Sequence, residues 1–234
     1  MSSKELIKIN IGSGPTGKLD WINLDWGILP LLGKISWLAK ILIRIKLLPK
    51  NYSTNWPKSL RLMDCRKKLP FANHTVDYIY TSHFLEHLPR YQVVELITEC
   101  KRILCYRGVL RICIPDVKLL SEKYVNGDMD FFMALEKSSN GKNQLENLTD
   151  LFVQHFYGYD LWSKPTFLQK IRQLFIRGHI WMYDYDSLSS ILYSAKFTDI
   201  KRRKFAQGET PDIKYLDIHE VGSLFIEASN IYEE

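Results

Sequence analysis

Seven short strand-like runs, most of them apolar and set between stretches of helical periodicity, constrain the fold of this 234-residue chain more than any other feature. The runs lie at Leu6–Ile11, Trp21–Leu24, Arg61–Met63, Val76–Thr81, Val109–Ile114, Asp199–Phe205 and Ser223–Ala228. Each has the length of a strand and falls short of a helix. Val93, Val94, Ile97 and Cys100 repeat at helical spacing and predict a helix over Tyr91–Leu104, stopping before Gly108. A second helix is expected over Asp186–Ala195, capped by Asp184 or Asp186. Strands alternating with helices predict an α/β domain with a mostly parallel sheet.

The first strand ends in Gly12, Gly14 and Gly17, spaced as GxGxxG. That spacing is shared with dinucleotide sites, where the pyrophosphate docks on the N-terminus of a crossover helix. Here only Pro15 to Asp20 separate the glycines from the next strand, too few residues for such a helix. The acid that follows, Asp25, also comes 13 residues after Gly12, where a dinucleotide site expects about 20. The glycines still let backbone approach a ligand, and Asp25 can accept from ribose hydroxyls. A nucleoside with a ribose and no phosphate points to S-adenosylmethionine (SAM).

The stretch "LRLMDCRKKLPFANHTVDYIYTSHFLEHLPRYQVVELITECKRILCYRGVLRICIPDVKLL" supports this. With Lys8–Gly17 and Trp21–Asp25 it resembles the class I SAM-dependent methyltransferases, and a shortened subgroup of them in lacking the first crossover helix. The likeness returns weakly at "GHIWMYDYDSLSSILYSAKF" and "SLFIEAS". It implies a Rossmann-like seven-stranded, mostly parallel sheet with flanking helices and an antiparallel last strand. By the same resemblance Gly12, Ser13 and Gly14 line the methionine end, Asp25 holds the ribose, and Asp64 accepts from the adenine amino group with the Cys65 backbone beside the ring. Thr81 to His83, with Ser82 counted in the cofactor set, face the transferred methyl. Asn10 and Arg107-Gly108 depart from the family pattern.

His83 to His87 spell HxxEH, a pattern also seen in one class of zinc proteases. Its place at a strand-to-helix corner, with Pro89 close behind, argues against a protease helix. No metal is therefore expected, and Glu86 and His87 read as a hydrogen-bonded structural pair. His83 and His179 are the candidate catalytic residues. Each is read either as a general base for a hydroxyl or amine, or as a group that orients the acceptor or simply packs. In-line transfer from a sulfonium needs positioning more than a strong base.

The chain is read as one domain, 1–234, with a basic amphipathic insertion at 27–58 and a helical cap at about 126–184 broken at "SSNGKNQ". From Trp26 to Met63 there are seven Lys or Arg and no acid. Trp37, Leu38, Ile41, Leu42, Ile45 and Leu48 share one helical face. This insertion covers the sheet, lies on an anionic membrane through residues 27–50, or meets a partner protein. Net charge is +6. Thr81-Ser82-His83-Phe84 stands where base-methylating enzymes carry D/N-P-P-Y, so a nucleic-acid partner is not expected. Lys201 to Lys204 read as a solvated strand edge. Cys65, Cys100, Cys105 and Cys113 show no CxxC pair and read as reduced core thiols. With no apolar run long enough to span a bilayer and no room for a signal peptide, a cytoplasmic protein is expected, peripheral to the membrane if the insertion binds there. The activity expected is methyl transfer to an oxygen or nitrogen of a small-molecule or glycan/glycolipid acceptor. The alternatives are a non-catalytic module of the same fold acting at RNA or membrane, and an NAD(P)-dependent oxidoreductase.

Overall fold

The computed structural model describes residues 5–18, 20–27, 30–31, 35–45, 56–138, 147–157 and 178–229. All seven expected strands form one sheet: β1 (Lys8–Ile11), β2 (Ile22–Asp25), β3 (Leu60–Leu62), β4 (Val76–Ser82), β5 (Leu104–Pro115), β6 (Asp199–Arg203) and β7 (Ser223–Ser229). Their order is β3-β2-β1-β4-β5-β7-β6. Neighbours from β3 to β5 pair parallel, while β7 runs antiparallel to both β5 and β6. The strand order reverses between β1 and β4, and in open α/β sheets such a switch point opens a crevice at the carboxyl ends of the strands.

Only a three-residue 3-10 turn, Gly14–Thr16, lies between β1 and β2, so the missing crossover helix is a feature of the fold. β5 begins five residues earlier than the apolar run suggested, because Leu104 already pairs with Val76 and a bulge follows.

Two described helices flank the sheet, and a third stands in the insertion. α1 is Ser36–Arg44, within the expected insertion. α2 is Arg90–Ile103 and buries Val93, Leu96, Ile97, Cys100 and Ile103. α6 is Tyr185–Ser194, and Asp184 caps it in a capping box with Ser187. Both α2 and α6 lie within one apolar core with Ile9, Ile11, Ile79, Leu110, Ile112 and Ile226 of the sheet.

A helix that precedes the expected cap of about 126–184 packs with the described helices of that range. α3 (Val117–Val125) is capped by Asp116, whose side chain accepts from the Lys118 and Leu119 N–H groups. α4 (Met129–Ser138) and α5 (Leu148–Tyr157) follow. These three helices enclose a small core of their own, Leu120, Phe132 and Leu151, with Tyr124 stacked on Phe152 at 4.4 Å. The rest of the "SSNGKNQ" break after Ser138, and most of the 27–58 insertion outside α1, lie outside the described residues. So do Tyr159, Trp162 and Phe167 among the aromatics of the cap.

The basic run sits on β6 at the sheet edge and finds acids there. Lys201 pairs with Asp199, Arg202 with Asp116, and Arg203 with Glu209 and Glu227. Cys65, Cys100 and Cys113 are buried and Cys105 partly so, all as free thiols.

Candidate active site

The residues expected to hold the cofactor converge on the carboxyl ends of adjacent strands. Gly12 follows β1 with φ +67°. A Cβ there would fall 2.5 Å from the Phe84 ring, so both conformation and close approach require glycine. Gly14 is also left-handed, at φ +56°, but a Cβ there would meet nothing within 4 Å. Conformation alone calls for glycine at that position. The third glycine has a different task. A Cβ at Gly17 would fall 2.3 Å from Asn23 Oδ1, within a polar cluster built on that buried amide. Asn23 donates to the Lys18 and Trp21 carbonyls and to Ser59, and accepts from Asn10 at 3.4 Å. Asn10, the departure from the family pattern, is thus a structural partner of β2.

Asp25 closes β2 beside this turn. Its Oδ2 accepts the Gly14 N–H at 2.8 Å and its Oδ1 the Trp26 N–H at 2.7 Å. Burial raises its pKa, and the two N–H donors offset only part of that rise. A carboxylate offers about four acceptor positions, so one on each oxygen is left for vicinal hydroxyls. That fits a ribose.

Asp64 follows β3 as expected, but Arg66 already holds it. Oδ1 accepts the Arg66 N–H and Nε at 3.1 and 2.7 Å, and Oδ2 accepts a guanidinium N–H at 2.9 Å. This fork holds the Asp64 carboxyl below the usual range. Acceptor capacity toward an adenine amino group therefore remains on Oδ2. Cys65 next to it is buried, and burial, with the charges of Asp25 and Asp64, pushes its thiol up to about 12. Ser13 is buried in the glycine turn. At the end of β4 the hydroxyls of Thr81 and Ser82 are shielded and lack a hydrogen-bond partner among the described residues.

His83 follows directly, at φ +47°. Its backbone N–H donates to the Cys113 carbonyl, Nε2 lies 3.2 Å from Ser223 Oγ, and Nδ1 lies 3.3 Å from Glu86 Oε1. Burial opposes the charged ring, but contacts with Cys113 and Glu86 outweigh it and raise the pKa. The ring of His219 packs against it at 4.3 Å. Burial and the His83 charge hold His219 down, to about 4.

His179 reaches the same carboxylate from the far side. The Ile180 and Trp181 N–H groups donate to the Glu86 carbonyl at 2.7 and 3.2 Å, which lays this segment across the end of β4. The His179 ring packs 5.1 Å from that of His87. So the two candidate catalytic histidines do come together, around Glu86, whose side chain is fully buried. The expected Glu86–His87 hydrogen bond is absent among the described residues: both Glu86 oxygens lack a hydrogen-bond partner, and His87 Nδ1 faces the Gly178 carbonyl instead. His155, His219 and Ser223 belong to this region and went unread in the sequence, because each is brought in by a distant element. Nothing local marks them.

A family model described as "Methyltransferase domain" matches residues 44–112, from the last residue of α1 into β5. The match covers 69 of the 234 residues; over them, and on this Rossmann-like sheet, the chain is similar to SAM-dependent methyltransferases, for which SAM is the expected cofactor. No curated protein matches the chain. Similar solved structures include a SAM-dependent methyltransferase, "possible histamine N-methyltransferase", from Thermotoga maritima, at 13% identity and TM-score 0.47, covering 98% of this chain and 84% of that one. Another is a SAM-dependent methyltransferase from Methanosarcina mazei, at 16% identity and TM-score 0.49, covering 99% and 95%. At these values the assignment of class rests on the strand order and the matched sequence.

Proposed function

We propose that the protein transfers a methyl group from SAM to an oxygen or nitrogen of a small-molecule or glycan acceptor. The observation that carries this reading is the placement of His83. It stands at the end of β4, one strand from the glycine turn, with its ring part-exposed and tied to Glu86 and Ser223. Bound SAM supplies a methyl on a sulfonium, and transfer is an in-line displacement that depends on holding the acceptor atom in line. A ring whose pKa is raised is a hydrogen-bond donor. His83 on this reading orients the acceptor, which favours the orienting role over the general base. His83→Ala should then lower turnover by about 10²-fold, the scale on which misplacement acts, while SAM affinity by calorimetry stays unchanged. Acceptors are found by screening candidates with SAM for a 14-dalton mass gain per methyl. Turnover within a few-fold of wild type would remove His83 from the reaction. A melting temperature raised by NAD(H) and not by SAM would favour the oxidoreductase instead.

A membrane-proximal acceptor, such as a glycolipid, is favoured by α1. Trp37, Ile41 and Ile45 on its apolar face are exposed, at 63%, 48% and 54%, and Lys40 and Arg44 stand on the same short helix. The occupant that suits exposed apolar side chains among cations is an anionic lipid surface. No described helix is long and apolar enough to cross a membrane.

A further inference from the structure

Five of the six histidines gather around one buried carboxylate, Glu86. Glu86 Oε1 lies 3.3 Å from His83 Nδ1, outside hydrogen-bond geometry, and Oε2 finds nothing among the described residues. Two buried carboxylate oxygens without a hydrogen-bond donor are costly.

The orientation of two further rings, His87 and His179, supplies what is missing. His87 Nδ1 lies 3.1 Å from the Gly178 carbonyl, and His179 Nδ1 lies 2.6 Å from the His155 carbonyl. A carbonyl only accepts, so each Nδ1 carries the proton. In the neutral ring each Nε2 then presents a lone pair. Imidazoles that ligate metals are fixed in this way, donating the other ring N–H to a backbone carbonyl. One ligand atom each from Glu86, His87 and His179 all lie within 4.8 Å of one another. Donors sharing one Zn²⁺ at about 2.0–2.2 Å stand roughly 3–4 Å apart, so a small side-chain shift brings these three onto one ion.

We propose that Glu86, His87 and His179 form a binding site for a divalent transition metal of the Zn²⁺ type. Two imidazole nitrogens and one carboxylate suit Zn²⁺ and its neighbours, whereas Mg²⁺ and Ca²⁺ take oxygen donors. Three protein ligands are also the set that leaves a coordination position open. The sequence reading assigned no metal because HxxEH on a strand-to-helix corner cannot place its two histidines on one helical face. The structure replaces the first histidine of that motif with His179, which arrives from the segment laid over β4. The ion thereby ties that segment to the sheet.

The test needs neither SAM nor an acceptor, so it is separate from the proposed methyl transfer. The full chain is stripped with a chelator and titrated calorimetrically with Zn²⁺ and with Mg²⁺. Co²⁺ is added to a parallel sample to read its d–d absorption. Wild type and His74→Ala, which alters the one histidine outside the cluster, should bind one equivalent of Zn²⁺ and gain melting temperature with it. His179→Ala and His87→Ala should bind at least about 10–100-fold more weakly, as even loss of an outer partner costs that much. Glu86→Gln should do the same, and if it fails to fold, the two histidine variants and the Co²⁺ spectrum decide. Absence of binding at micromolar Zn²⁺, Mg²⁺ preferred over Zn²⁺, or wild-type affinity in His179→Ala would each overturn the site.

Discussion

At the scale of single residues, the cofactor side of the site is set by groups that lie close together in sequence. Gly12, Gly14 and Asp25 span the end of β1, a short turn and β2, so their spacing already encodes their meeting. This is why they were legible from the chain alone. The grip of Arg66 on Asp64 was not legible, because a two-residue spacing leaves open whether a guanidinium folds back. The cluster at Glu86 was less legible still. His83 meets Ser223 across 140 residues and His87 meets Gly178 across 91. The clearest residue-level prediction concerns Asp25. Its two remaining acceptor positions are what a ribose needs, so Asp25→Ala should weaken SAM by about 1–3 kcal/mol, the cost of leaving polar hydroxyls unpaired in a closed site. Calorimetry with SAM and with its demethylated product measures it, and equal affinity in wild type and variant would withdraw the ribose role.

At the scale of elements, strand and helix identity followed from hydrophobic period. The bounds moved where tertiary pairing overrode it, as at Leu104 in β5. α1 is where the period alone left three outcomes open: sheet, membrane or partner protein. A helix packed on the sheet buries its apolar face, yet Trp37, Ile41 and Ile45 are exposed. If they meet lipid, attraction should combine burial of that face with about 1 kcal/mol for each cation near an anionic surface. It should need anionic lipid and fade with salt, because the charges act over a Debye length. Co-sedimentation with phosphatidylglycerol vesicles at low salt is the expected outcome, and Trp37→Ser with Ile41→Ser should abolish it. Protein that stays in the supernatant with every vesicle type and salt would leave α1 without a lipid role.

Across the whole molecule, one charge network holds the last third of the chain to the sheet. Arg111, fully buried in β5, pairs with Asp217 at 2.6 Å and Glu227 at 3.3 Å, and also donates to the Lys204 and Gln207 carbonyls. Glu227 accepts the Glu209 and Thr210 N–H groups and the Thr210 hydroxyl. Burial alone would raise the Glu227 pKa, but these donors and Arg111 outweigh it and hold the carboxyl below its ordinary value. A carboxyl lowered in the folded state contributes stability above its unfolded pKa and loses it as pH falls through the folded value. Glu227→Gln should therefore cost stability at pH 7 and flatten the fall in urea midpoint between neutral and acid pH. A wild-type acid limb in that variant would count against the network. Arg111→Met leaves buried Asp217 without its cation and Glu227 with Arg203 alone, and should cost about 3–5 kcal/mol, a large share of the 5–15 typical of a domain. None of these partners stands out in the sequence, since a lone arginine in an apolar strand has no local mark of its counter-ions.

The position of β7 also decides when the fold can form during synthesis. β6 leaves the ribosome before β7, yet β7 is its one neighbour in the sheet. The 26 residues from Lys204 to Ser229 must therefore be added before β6 can pair along its full length. At about 5–20 residues per second that interval lasts roughly 1–5 s. Throughout it the open side of β5 and the whole of β6 are nascent sheet edges, and the lysines and arginines of β6 keep that waiting edge from pairing with another chain.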